Sequence, residues 1–472
     1  MSKVTNKMAL AVLFVLVLAW IACIWLAPFS VQHGYYVGAA KLMAEGLTPW
    51  KDFNIMDTPL GLWIISLPYR LTGTAASGNV AVIFLILVQL LNVFLLHRLL
   101  ARVQVKGLCQ IVTLAFFVVI AFSTNSLMVS LEPIAMSFLL AALLCARSRK
   151  LWKHFLAALF LILAICCKAQ ALVAFPAFLL VSAVPERKHW RWKSLFTCGL
   201  FSLVLGALAL WAITLWTQEP RFWSHISLAG YYEYSFSENL KALFTQVAIQ
   251  AGRCSLYLLI PGLVLYKWAS AQTRYYSWVA VLAFVTCVLV LILDKNANFV
   301  WFLYPFVLMA LGHGLQQSRS YMWIFYLTAF LIPGYLGLRE FQKIGMGEVK
   351  AEQQDCLEFA KEVIDTPAQV AVLVSSLDDY DLCTQVFSEI PGVRPVDLKH
   401  TTWGFVEWKI ANQNETVNTV LEKADYLVLN TDFELGYVAY NLVTFGQWAS
   451  AMMNFLAGHE TMAIGEMDIV KR

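Results

Sequence analysis

Long apolar runs separated by short polar connections fill the first 337 residues, after which the pattern turns to mixed polarity. A helix needs about 20 apolar residues to cross the hydrocarbon core. By that measure the sequence predicts eleven spans, at 8–28, 79–97, 108–124, 127–146, 154–168, 170–184, 195–216, 243–266, 275–293, 297–315 and 320–337. The fifth and sixth are short and could be one broken helix, which would make ten. No small-residue cleavage site follows the first run, so it reads as a retained anchor. The segment PLGLWIISLPYR at 59–70 is apolar but too short to span, and reads as a helix lying at the interface.

Residues 338–472 have the patterning of a small extramembrane α/β domain. AEQQDCLEFAKEVI (351–364) reads as an amphipathic helix, QVAVLVSS (369–376) and ADYLVLNT (424–431) as strands, TVNTVLEK as a helix and MAIGEMDIVKR as a closing strand. No Gly-x-G-x-x-G follows the first strand, which argues against a nucleotide site there. The expected fold class is therefore an all-α polytopic bundle, 1–337, with outer loops 29–78 and 217–242, followed by the α/β tail.

Composition agrees. Of 472 residues, 60% are hydrophobic and only 14% charged, with a mean hydropathy of +0.66, against about 25% charged in soluble proteins. The overall charge of +4 hides an asymmetry: residues 1–336 carry +15 and 337–472 carry −11. With the N-terminus in the cytoplasm, the eleven-span topology puts 16 basic residues inside and six in the outer loops, as the positive-inside rule expects. The tail then lies outside, on the periplasmic or extracellular side of the plasma membrane. Basic residues confined to short loops point to anionic lipid and not to nucleic acid. Eight of the ten cysteines sit in apolar runs, without metal-type spacing.

Acids in the first 336 residues number nine: Glu45, Asp52, Asp57, Glu132, Glu186, Glu219, Glu233, Glu238 and Asp294. They are too scattered for a hard-cation cage, so no metal is expected. Glu132 falls inside the fourth span, where a carboxylate is costly and marks either function or a hydrogen bond in the bundle. Asp57 precedes Thr58-Pro59, so it is a candidate acid or simply part of a helix start. Asp52 is a loop residue that could be merely solvated, and Glu45 precedes Gly46 at an apparent helix end. Lys168 and Arg253 lie in or near the membrane; each suits a phosphate, with snorkelling the alternative for Lys168 and a structural ion pair for Arg253. His33, His225 and His313 show no ligand spacing.

Four stretches together resemble the polytopic C-superfamily of glycosyltransferases, which includes protein O-mannosyltransferases and lipid A aminoarabinose transferases. They are GYYVGAAKLMAEGLTPWKDFNIMDTPLGLWIISLPYRLTG, SLEPIAMSFLLAALL, CKAQALVAFPAFLL and NANFVWFLYPFVLMALG, and they cover about the first 315 residues. The resemblance implies a sugar carried on polyprenyl phosphate and transferred at the outer face to a glycan, lipid or protein of the cell envelope, without a cofactor. It also implies an acid that activates the acceptor and cations that hold the leaving phosphate. The family usually has an Asp just after the first span, where this chain has Gln32-His33. The role then passes to Asp57 or Glu132, or to His33 as base, with Lys168 and Arg253 on the phosphate and Asp52 and Tyr35 shaping the acceptor side. The alternative is a non-catalytic lipid-binding, transport or assembly protein on the same scaffold.

Overall fold

The computed structural model describes residues 3–26, 33–52, 55, 57–74, 76–122, 129–183, 191–218, 270–294, 301–317, 335, 348–373, 389–390, 392–395, 424–430, 461–464 and 467–471. The predicted spans at 243–266 and 320–337, the loop 217–242 beyond Gln218 and the tail helix TVNTVLEK lie outside these residues, apart from Tyr335. The chain divides into two compact units.

The first unit comprises residues 1–27, 85–213 and 223–344. Its helices are α1 (Lys3–Leu26), most of α4 (Asn79–Arg102), α5 (Leu108–Phe122), α6 (Glu132–Ala146), α7 (Leu151–Cys167), α8 (Phe175–Ser182), most of α9 (Trp192–Thr217), α10 (Ala271–Asp294) and α11 (Tyr304–Gln317). Three helices among the described residues are long and apolar enough to cross a membrane: α1 over Lys7–Trp25, α4 and α9. Helices of 24 and 26 residues reach about 36–39 Å, enough for a 30 Å hydrocarbon layer. Their polarity is inverted relative to a soluble bundle. α9 exposes Phe196, Leu200, Leu203, Leu208, Trp211 and Leu215, while α4 exposes Leu87 and Phe94 and buries Gln89 and Asn92. Apolar faces this extensive are stable only against lipid, so the chain is a multi-pass membrane protein.

Polar residues and small residues hold the helices together, as lipid-facing chains require. Asn92 of α4 donates to the Pro133 carbonyl of α6 at 2.9 Å and accepts from the Ser137 hydroxyl at 2.7 Å. α6 and α7 form an antiparallel hairpin across the short turn at Arg147–Lys150. Ala135, Ala142 and Ala146 of α6 and Ala157, Ala158 and Ala164 of α7 are fully buried, which permits close approach. Trp20, Phe117, Trp301 and Tyr304 form a chain of edge-on and stacked rings linking α1, α5 and the start of α11. At Gly312 of α11 a Cβ would meet both methyls of Val105 at 2.8 Å. Val105 is β-branched and fully buried, so it cannot swing aside. Gly312→Ala is expected to cost about 1–3 kcal/mol, as overpacking does, read as a lower thermal midpoint in detergent.

The second unit comprises residues 28–84, 214–222 and 345–472. It holds α2 (His33–Ala44), α3 (Pro59–Thr72), α12 (Glu348–Val363) and one five-stranded sheet. α3 is a helix over the segment that the sequence reads as interfacial, begun by Pro59 and closed at Gly73 in a positive-φ conformation. The strands are β1 (Ala368–Leu373), β2 (Val393–Pro395), β3 (Tyr426–Asn430), β4 (Thr461–Ile464) and β5 (Met467–Lys471). Their order is β2-β1-β3-β5-β4, parallel across the first three and antiparallel across the rest. The single closing strand expected at 462–472 is a pair, β4 and β5, with Ile464 opposite Met467. The sequence reading missed β2, which is only three residues long and includes a proline.

Candidate active site

The α6–α7 hairpin places Glu132 and Lys168 at the same end. Glu132 occupies the first turn of α6, ahead of Pro133, and Lys168 follows α7. Lys168 is extended (φ −153°, ψ 112°) and a 3-10 turn over Ala169–Ala174 follows it. That one-residue break frees the side chain from the α7 lattice. Lys168 Nζ lies 3.5 Å from Glu132 Oε1, and the two residues are 4% and 3% exposed. Lys168 is therefore turned into the bundle and does not snorkel. Neither Glu132 oxygen accepts a hydrogen bond, and Ser130 Oγ and Gln170 Oε1, on the same two segments, are also buried without partners among the described residues.

Buried polar atoms are normally satisfied, and a buried carboxylate needs hydrogen bonds as well as a counter-ion to offset its desolvation. Among the described residues Glu132 has the counter-ion alone. Asn92, bonded to the Pro133 carbonyl, fixes the turn that carries Glu132.

Asp57 lies in the second unit, buried ahead of α3. Its Oδ2 accepts the Tyr36 hydroxyl at 2.9 Å, while Thr58 is the N-cap residue without a side-chain cap bond. The carboxylate thus tethers α3 to α2. Asp52 is exposed and accepts the Thr48 N–H at 2.7 Å, closing its own turn. Glu45 and Gly46 end α2 in a turn with Gly46 at φ 97°, and Arg70 donates to the Met43 carbonyl at 3.0 Å. His33 and Tyr35 lie on α2, but their side chains are outside the described residues, as is all of Arg253.

Sequence reading missed Tyr36, Ser130, Gln170 and the partner of Lys41. Lys41 of α2 is 7% exposed, lies 5.5 Å from the Tyr69 ring centre and pairs at 3.9 Å with Glu389 from the tail. Glu389 Oε1 also accepts the Gly78 N–H at 2.6 Å, just ahead of α4. Burial pulls the Lys41 ammonium below its usual pKa, and Glu389 offsets that in part.

No protein-family model and no curated protein sequence matches the chain. Solved structures do. ArnT from Cupriavidus metallidurans bound to undecaprenyl phosphate matches with a TM-score of 0.64 at 12% identity, over 100% of this chain and 98% of that one. Its apo state matches with a TM-score of 0.57 at 12% identity, over 99% and 98%. The fold is therefore shared with these ArnT structures. The oligosaccharyltransferase AglB from Archaeoglobus fulgidus, in complex with an inhibitory peptide and a dolichol-phosphate, matches with a TM-score of 0.52 at 10% identity, over 92% of this chain and 70% of that one. The four stretches that carried the sequence resemblance thus point to the fold that the structure has.

Proposed function

We propose that the chain is a membrane glycosyltransferase that moves a sugar from a polyprenyl-phosphate donor to a cell-envelope acceptor, a glycan, lipid or protein, at the outer face. The buried Glu132–Lys168 pair, with both carboxylate oxygens lacking a hydrogen bond among the described residues, supports this reading most directly. Neighbours of the same fold hold undecaprenyl phosphate or dolichol-phosphate, which supports the donor class. Lys168 receives the donor phosphate and so leaves Glu132. Glu132 then takes the proton of the acceptor hydroxyl as its oxygen attacks the anomeric carbon. The bond from that carbon to the phosphate oxygen breaks, and polyprenyl phosphate departs with both electrons against the lysine.

Arg253, if it faces this phosphate, adds a second cation, and Asp52, His33 and Tyr35 belong to the acceptor side. The topology that goes with this reading has eleven spans, the N-terminus in the cytoplasm and the tail outside. The test is transfer of labelled sugar from polyprenyl phosphate by the purified protein. General-base loss predicts a fall of about 100-fold or more for Glu132→Gln, with only a few-fold fall for Asp57→Asn. The reverse order would assign the base to Asp57. No transfer with any donor would leave the scaffold as a lipid-binding or assembly protein.

A further inference from the structure

The opposite end of α6 carries a second set of unsatisfied polar groups. α6 has 15 residues, so at about 1.5 Å per residue its two ends are about 22 Å apart. Arg147 is the residue that ends it. The carbonyls there already have donors: Arg191 bonds the Arg147 and Ser148 carbonyls, and His154 Nε2 lies 2.8 Å from the Ser148 carbonyl. The Nε and Nη1 of Arg147 itself are buried with no acceptor among the described residues. Tyr276 of α10 is 0% exposed and its hydroxyl has no partner. His313 of α11 is 3% exposed, stacks on Tyr276 at 4.7 Å with planes 8° apart, and leaves Nε2 without a partner. Tyr275, next to Tyr276, donates to the Leu180 carbonyl near the end of α8, and Arg191 bonds both the Ala183 carbonyl just past α8 and the Arg147 carbonyl, so the three groups, from three helices, gather at one end of the bundle.

Guanidinium N–H groups buried without an acceptor are among the costliest of orphans. Here the missing partner must accept from Arg147 and from the Tyr276 hydroxyl, and must also meet His313 Nε2. A phosphate monoester does all of this, having several oxygens and a second pKa near 6, so that it accepts and donates at neutral pH. We infer that Arg147, Tyr276 and His313 form a phosphate-monoester site at the end of the bundle opposite Glu132. Arg147 is the only one of the three that reaches solvent, so the ligand enters across its guanidinium. The charge pattern assigns that end to the cytoplasmic side, where the phosphate is either a lipid headgroup or free in solution.

The test uses the full-length protein and reads the thermal unfolding midpoint. One arm titrates inorganic phosphate in detergent, with sulfate at equal ionic strength as control. The other compares nanodiscs of phosphatidylcholine with and without phosphatidic acid. The expected result is a saturable rise with phosphate or phosphatidic acid that sulfate does not reproduce. A rise in detergent identifies free phosphate as a ligand, and a rise confined to phosphatidic-acid discs identifies a headgroup. Loss of one hydrogen bond to a charged ligand predicts an apparent affinity at least about tenfold weaker in Tyr276→Phe. Arg147→Gln removes the response. No response in either arm overturns the site, as does an unchanged response in Tyr276→Phe. Tyr276→Phe removes a single oxygen from a stacked ring and so preserves the fold if Arg147→Gln does not.

Discussion

Replacing Lys168 with Met is expected to destabilise the protein by about 3–5 kcal/mol, because it leaves Glu132 buried without its cation. Glu132→Gln strands the ammonium in turn, and the double variant Glu132→Gln/Lys168→Met removes both charges together. Replacing a whole buried pair is often neutral or stabilising, so the double variant should recover most of the stability lost by Lys168→Met. It should recover none of the transfer activity. A cycle of the four proteins would then show a coupling of about 2–3 kcal/mol in stability, read from unfolding midpoints in detergent. Additive losses would mean that the pair does not interact. Transfer by the double variant would separate the pair from the chemistry altogether. Structural ion pairs give the first result alone, so only stability recovered without activity supports a catalytic pair.

The two residues of that pair were each legible in the sequence, but their pairing was not. Glu132 and Lys168 stood out because charge inside an apolar run is rare and costly. Their partnership depends on α6 and α7 folding back antiparallel, which puts residues roughly equidistant from the Arg147–Lys150 turn side by side. That signal was in the spacing and was not used. Tyr36 was open to the same correction. Tyr36, Ala39, Ala40 and Met43 recur at helical spacing and form the buried face of α2. The periodicity favours Tyr36 as the tyrosine turned inward, and it is Tyr36 that binds Asp57.

The long helices were legible because lipid demands continuous apolarity, so α1, α4 and α9 begin and end within a few residues of the runs that predicted them. The break at Lys168 was harder to read, since one extended residue inside apolar sequence leaves little mark. The tail was the least legible part. A three-residue strand such as β2 has no pattern of its own. The contact between Glu389 and Lys41 joins segments more than 300 residues apart in the chain, and no local rule could place it.

Glu389 should therefore matter well beyond its setting in an acidic tail. It is one of 21 acids after residue 336, and most exposed charges in such a region contribute little. Glu389 differs in doing two things at once. It accepts the Gly78 N–H, one of the orphan donors at the start of α4, and it faces a lysine that is 7% exposed. Glu389→Ala leaves both without this acceptor, and is expected to cost about 3–5 kcal/mol, as for a buried pair broken on one side. Glu389→Gln keeps an oxygen for Gly78 and loses only the charge, for about 1–2 kcal/mol. Thermal midpoints should therefore fall in the order wild type, Gln, Ala, with amide exchange at Gly78 fastest in Ala. Equal losses in the two variants would show that the charge alone matters. The pH dependence gives an independent check on Lys41. Its folded pKa lies below the ordinary value of 10.5, so between the two values the unfolded chain binds more protons and stability rises with pH. Relative to Lys41→Met, wild type should gain stability through that alkaline window and show no difference in slope below it. A flat difference across the whole range would mean that Lys41 is not desolvated as its burial requires.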